Sequence, residues 1–162
     1  MKYRDLFFVF HSTQEHVQLL QKQLLDEGLK NCGAIADEKI KSHVLKSSVF
    51  AVAKSGTISL EICNSKIPSI IIYKMGTINF FIVKMLVKVK FANIINIAAG
   101  EEVIPELLQS KCNAKDIYNT VDKLMNDKTA LENQLNKTQS IISNFKTDKS
   151  SEIASSILKD YI

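Results

Sequence analysis

Two hydroxyl side chains flank a glycine at Ser55-Gly56-Thr57, and a carboxylate, Glu61, follows four residues after Thr57. A glycine turn that opens a helix presents free backbone N–H groups and the positive end of the helix dipole, which together bind phosphate. The same residue types also make an ordinary turn, so the triplet alone leaves both readings open. Glu61 is open in the same way. An acidic residue in a first helical turn complements the dipole, and a carboxylate beside bound phosphates can also accept both hydroxyls of a ribose.

These residues need a strand in front of them and a helix behind. Val49-Phe50-Ala51-Val52-Ala53 is short, apolar and rich in β-branched and aromatic residues, which reads as a strand buried on both faces. Past Thr57, a plausible N-cap, Ile58, Glu61, Ile62 and Ser65 follow helical spacing. The chain opens the same way. Leu6-Phe7-Phe8-Val9-Phe10 reads as a buried strand, Ser12-Thr13-Gln14-Glu15 as a capping box, and Val17, Leu20, Leu24 and Leu25 as a helical stripe that Gly28 ends.

A weak strand at Ala34-Ile35-Ala36, a helix over 38–46, a strand at Ser69-Ile70-Ile71-Ile72-Tyr73, an apolar helix over 78–87 and a strand over 91–97 continue the alternation. Such alternation predicts right-handed crossovers and a parallel sheet with helices on both faces. Ligands of these sheets sit at the carboxyl ends of the strands. Ser55, Lys74 and Asn96 all fall there, which makes them candidates for one pocket.

From Pro105 onward strands are not expected. Residues 106–109, 115–126 and 128–145 read as helical, the last with Leu131, Leu135, Thr138, Ile142 and Phe145 spaced four and three apart. That spacing suits a helix packed on the main body or on a second copy of the chain. A polar hinge over 145–151 and a short helix bearing Ile153, Ile157 and Leu158 end the chain.

Composition removes several alternatives. The 162 residues are 46% hydrophobic with two prolines, enough for one sizeable core. The net charge of +4 comes from dispersed lysines with a single arginine, Arg4, so no basic tract grips nucleic acid. Cys32, Cys63 and Cys112 are odd in number and far apart, as reduced buried thiols of a cytosolic protein would be. Residues 1–10 lack the cleavage site of a secretory signal, and the apolar tract 78–89 is broken by Lys84 and Lys88 and too short to span a bilayer. With Lys90, those lysines and the apolar helix suit either core packing or a surface touching acyl chains and anionic head groups. His11 and His16 are five apart across a helix start and cannot share a metal-binding helix face.

Taken in order, Ser55-Gly56-Thr57-x-x-Leu60-Glu61, Pro68, Tyr73-Lys74, Val87-Lys88-Val89, Asn96-Ile97-x-Ala99-Gly100 and Val103-Ile104-Pro105-Glu106-Leu107-Leu108-Gln109 resemble the lipid A disaccharide synthases, over about residues 6–127. The resemblance implies a GT-B glycosyltransferase built from two Rossmann-like domains. That family transfers 2,3-diacylglucosamine from UDP-2,3-diacylglucosamine to 2,3-diacylglucosamine 1-phosphate, with inversion and without a metal or other cofactor. Carried over by position, Ser55, Gly56 and Thr57 hold the UDP diphosphate, Glu61 binds the ribose, and Asn96, Glu106 and Gln109 line the sugar side of the cleft.

Ile95 stands where many relatives have proline, and Glu101 where many have arginine, a change of charge near the sugar. Such enzymes are more than twice this long. The resemblance therefore implies a partial donor-nucleotide-binding domain over 1–110 and a C-terminal helical extension over 111–162. The acceptor domain, with the base expected in it, is missing, so the catalytic residues stay unknown. The implied partners are the UDP-sugar, a lipid acceptor, the inner face of the inner membrane, and a second copy or a complementing N-terminal fragment. Little turnover is expected of the chain alone. The rival reading is a non-catalytic helical interaction module that works through the tail after Cys112.

Overall fold

A computed structural model describes residues 3, 5–76, 90–145, 155 and 158. The expected helix over 78–87 with Lys84 and Lys88, the hinge, and Ile153 and Ile157 lie outside the described residues. The chain divides into two compact units, Met1–Ser48 and Val49–Ile162. Both are α/β with parallel strands, so the fold is a partial Rossmann-like arrangement carrying C-terminal helices.

The first unit joins β1 (Phe8–His11), α1 (Gln14–Asp26), β2 (Cys32–Ile35) and α2 (Glu38–Ser47). β1 and β2 pair in parallel, with Phe8 opposite Cys32, and α1 crosses between them and packs on β2. The expected capping box does not form. Ser12 still donates its N–H to Ile35 O in the ladder, so the N-cap moves on to Thr13, whose hydroxyl meets His16 Nδ1 at 2.7 Å instead of a backbone amide. Gly28 ends α1 as expected. At φ +64 it lets its own N–H reach Leu25 O and the Leu29 N–H reach Leu24 O, which satisfies two of the last carbonyls.

The second unit holds β3 (Ala51–Lys54), α3 (Ile58–Asn64), β4 (Ser69–Tyr73), α4 (Ile94–Ala99), β5 (Glu106–Leu108), a short 3-10 turn (Gln109–Lys111), α5 (Ala114–Met125) and α6 (Lys128–Phe145). The strands run parallel in the order β3-β4-β5, with Val52 opposite Ile70 and Ile71 opposite Glu106. Ile70 and Leu107 meet Ile117, Val121 and Leu124 of α5 and Leu131 of α6. Successive strand residues face opposite ways, so buried Ile71 serves the other side. α3 packs there against β3, and α6 packs against α3, α4 and α5.

Four expectations are corrected. β1 is not buried: all four of its residues are exposed, because within its own unit little apolar surface covers them. Residues 91–97 form no strand: Asn93 caps a helix by accepting the Ile95 N–H, and Gly100 at φ +70 ends it, so local capping outweighs the β preference of the isoleucines. Residues 106–108 are a strand and not a helix, because β4 offers an open ladder on which Glu106–Leu108 pairs, and only Gln109 enters a 3-10 turn. β3 is not buried on both faces. Among the described residues it is an edge strand, and Val49 and Val52 are 60% and 46% exposed. The periodic face of α6 is buried at Thr138 and Ile142, whereas Phe145 is exposed.

Candidate functional site

The turn between β3 and α3 is built by its own backbone. Gly56 O accepts both the N–H and the hydroxyl of Ser59, at 3.1 and 2.6 Å, and Thr57 O accepts the Leu60 and Glu61 amides. Thr57 occupies the cap position with helical dihedrals, φ −60 and ψ −28, outside the extended region from which a cap side chain reaches back. Its hydroxyl therefore caps nothing. Among the described residues the amides of Gly56, Thr57 and Ile58 have no acceptor either. Gly56 has φ +156, and a Cβ added there would meet nothing within 4 Å. The turn thus leaves space at its glycine, with three amides and one hydroxyl that have no partner among the described residues.

Ser55 is used differently. Its Oγ donates to Ala92 O at 2.6 Å and ties the end of β3 to the segment that leads into α4. From the other side the Glu106 carboxylate accepts the Ala92 N–H at 2.8 Å, the Asn93 N–H at 2.9 Å and Asn96 Nδ2 at 2.8 Å. Asn96 is fully buried. Its Oδ1 accepts from Val103 and Ile104, and its Nδ2 donates to Ile104 O and Glu106. These bonds use the whole capacity of the amide. Asn96 therefore positions Glu106 and the loop before β5.

Gln109 also grips backbone. Its amide accepts the Met75 N–H at 2.9 Å and donates to Met75 O at 3.2 Å, which extends the β4–β5 ladder by a side chain. Its own φ of +51 is uncommon for a residue with a Cβ and marks this corner as one held by tertiary contacts. Lys74, next to Met75, is exposed and joins none of these bonds among the described residues. Glu61 lies exposed on the first turn of α3.

The structure thus links Ser55, Asn96 and Glu106 through the segment 92–93, and it keeps the turn amides with Glu61 one coil later. Gln109 shapes the exit of β4. Sequence reasoning missed Asn93, which is fully buried, caps α4 and has an Nδ2 with no acceptor among the described residues. An asparagine seven positions ahead of a glycine was the available signal, hidden by the β-branched run between them. It also missed Lys137, whose Nζ lies 2.6 Å from Glu101 and balances the acid that stands where arginine is common in the resembled family. No helix among the described residues is long and apolar enough to cross a membrane.

A sequence profile of the family described as lipid-A-disaccharide synthetase matches residues 1–159. The chain is 34% identical over 160 residues to a lipid-A-disaccharide synthase of Rickettsia typhi, covering 97% of this chain and 42% of that protein. It is 41% identical over 128 residues to one of Rickettsia felis (76% and 32%) and 36% identical over 138 residues to one of a Sulfurihydrogenibium species (80% and 36%). It spans about two-fifths or less of the length of these curated relatives. A match along almost the whole chain, on a parallel α/β frame that presents the Ser-Gly-Thr turn, shows that the chain belongs to the lipid-A-disaccharide synthetase family.

Proposed function

We propose that this chain supplies the UDP-sugar site of a lipid A disaccharide synthase type glycosyltransferase. The reaction moves 2,3-diacylglucosamine from its UDP derivative onto 2,3-diacylglucosamine 1-phosphate. The observation that carries the reading is the open set of amides at Gly56, Thr57 and Ile58, at the carboxyl end of β3 in a chain of this family.

A diphosphate seated there receives backbone N–H bonds and the Thr57 hydroxyl. Ser55 holds the neighbouring segment through Ala92, and Glu61 takes the ribose hydroxyls. Negative charge grows on UDP as it leaves, so donors fixed before the reaction stabilise the transition state more than the ground state. Glu106, oriented by Asn96 and the 92–93 amides, and Gln109, which fixes Met75, shape the sugar side. No proton transfer is assigned to these residues; the base belongs to the acceptor domain.

In this reading residues 1–110 are a partial donor domain and 111–162 a helical extension. The chain works beside the cytoplasmic face of the inner membrane, where its lipid substrates lie and its net charge of +4 favours anionic head groups. A complementing portion supplies the acceptor site, and the chain alone has little turnover. The rival reading needs the tail free for partners. α6 instead buries Gln134, Thr138 and Ile142 within its own unit, which favours the nucleotide reading.

Calorimetry with UDP tests this. Binding is expected to weaken about tenfold or more in Glu61→Ala, the loss of a pair of charge-assisted hydrogen bonds. It should vanish in Gly56→Val, where a branched side chain meets a backbone conformation reserved for glycine. No UDP binding by folded protein would overturn the reading, and disaccharide formation by the chain alone would overturn its incompleteness.

A further inference from the structure

Glu106 uses its carboxylate on polar groups of the chain itself. Oε2 accepts the Ala92 N–H at 2.8 Å, and Oε1 accepts the Asn93 N–H at 2.9 Å and Asn96 Nδ2 at 2.8 Å. A carboxylate has about four acceptor positions, so little of it is left for a ligand. The carboxylate is also well anchored. Glu106 opens β5 opposite Ile71, the Ile71 N–H donates to Pro105 O at 2.9 Å, and Asn93 and Asn96 are fully buried. The segment 92–93 therefore hangs from the sheet through this one side chain.

Ala92 is held from its other side as well, since its carbonyl accepts the Ser55 hydroxyl at 2.6 Å. Ser55 follows Lys54, the last residue of β3, and precedes Gly56. In the order β3-β4-β5 the outer strands share no ladder, so the path Ser55–Ala92–Glu106 joins them by a second route. Glycine has the widest backbone freedom of any residue, and Gly56 cannot by itself aim the amides around it. Among the described residues, Ser59 holds the α3 side of the turn, through its N–H and hydroxyl on Gly56 O, and the bond to Ala92 holds the β3 side.

We infer that Glu106 is a positioning residue for the Ser55-Gly56-Thr57 turn. Through Ala92 and Ser55 its carboxylate sets the directions of the Gly56, Thr57 and Ile58 amides that receive a diphosphate. The inference rests on the reading above that this turn holds UDP, and it makes Glu106 act on the nucleotide half of the donor as well as on the sugar side. Charge-assisted bonds of this length are the strong kind. They suit a group that must fix a glycine turn before the ligand arrives, because donors fixed in advance need no reorganisation.

Calorimetry with UDP, which lacks the transferred sugar, tests this. Glu106→Gln keeps the shape but turns one oxygen into a donor, so at least one of the 92–93 amides loses its acceptor. UDP binding should weaken about tenfold. Ser55→Ala cuts the same path at its other end and should weaken binding at least as much. The double variant should lie within about twofold of Ser55→Ala alone, because links in one series do not add. A group that touched only the sugar would leave UDP affinity unmoved. Amide exchange supplies a readout without nucleotide: the Ser59 N–H should exchange about fivefold or more faster in both variants, while the Ile71 N–H stays protected and reports an intact sheet.

Unchanged UDP affinity in Glu106→Gln with Ile71 protected, or additive losses in the double variant, would overturn the inference. Where Glu106→Gln loses Ile71 protection, Ser55→Ala decides: faster Ser59 exchange supports the inference and unchanged exchange removes it. Absence of UDP binding by the folded, unsubstituted chain sinks the nucleotide reading instead, and the Ser59 amide in Glu106→Gln then still tells whether the carboxylate holds the turn.

Discussion

Asn96 and Cys63 show at the residue scale how burial converts polar chemistry into structure. Removing the Asn96 amide orphans the buried Val103 and Ile104 amides and releases Glu106. Asn96→Ala should therefore cost roughly 2–4 kcal/mol, read as a drop in urea midpoint at unchanged slope. Asn96→Asp should be no milder, since its second oxygen would face Ile104 O and the Glu106 carboxylate. Cys63 is buried, and desolvation pushes its thiol up to about 11 from 9.0. The folded state then holds the proton more tightly than the unfolded state. This contribution is intact below pH 9 and is lost as pH rises from about 9 to 11. Alkylation at pH 8 should label half-buried Cys32 and Cys112 and spare Cys63 until the protein is unfolded.

At the scale of elements, the ends of helices decide more than their interiors. α3 closes as α1 does, with the Lys66 N–H on Cys63 O and the Ile67 N–H on Ile62 O, but the residue at φ +58 is a lysine. Its Cβ is strained there, whereas glycine is not. Lys66→Gly should raise stability by about 0.5–1 kcal/mol after the entropy of the added glycine is counted, measured as a rise in urea midpoint. Such ends were legible where glycine stands, at Gly28 and Gly100, and illegible at Lys66. The swap of strand and helix over 91–108 has a similar cause. A short apolar run has no period of its own, and Asn93 with the open ladder of β4 decided between the two forms.

On the scale of the whole molecule, the two units differ in how much core they own. Among the described residues of Met1–Ser48, Ala34 is the only buried hydrophobic side chain, and neither α1 nor α2 buries any residue. Phe7 and Leu25 are 64% and 77% exposed. The second unit owns Ile62, Ile70, Ile71, Ile95, Ile104 and Leu107. It is also cross-tied by Gln134, whose side chain reaches from α6 to both backbone groups of Ser69. Hydrogen exchange should show the β1–β2 amides opening at least about a hundredfold more readily than those of β4. Equal protection in the two units would contradict this account.

The sequence by itself determined the family, the alternation of strands and helices as far as β4, the glycine turn at 55–57 and the start of α6, because period, turn chemistry and ordered motifs are local properties of a chain. Only the tertiary structure decided that Asn96 spends its amide internally, that Ser55 ties down Ala92, that Gln109 grips Met75 and that β3 lies at an edge. Each of these depends on which distant backbone groups arrive within hydrogen-bond reach. No spacing along the chain encodes that.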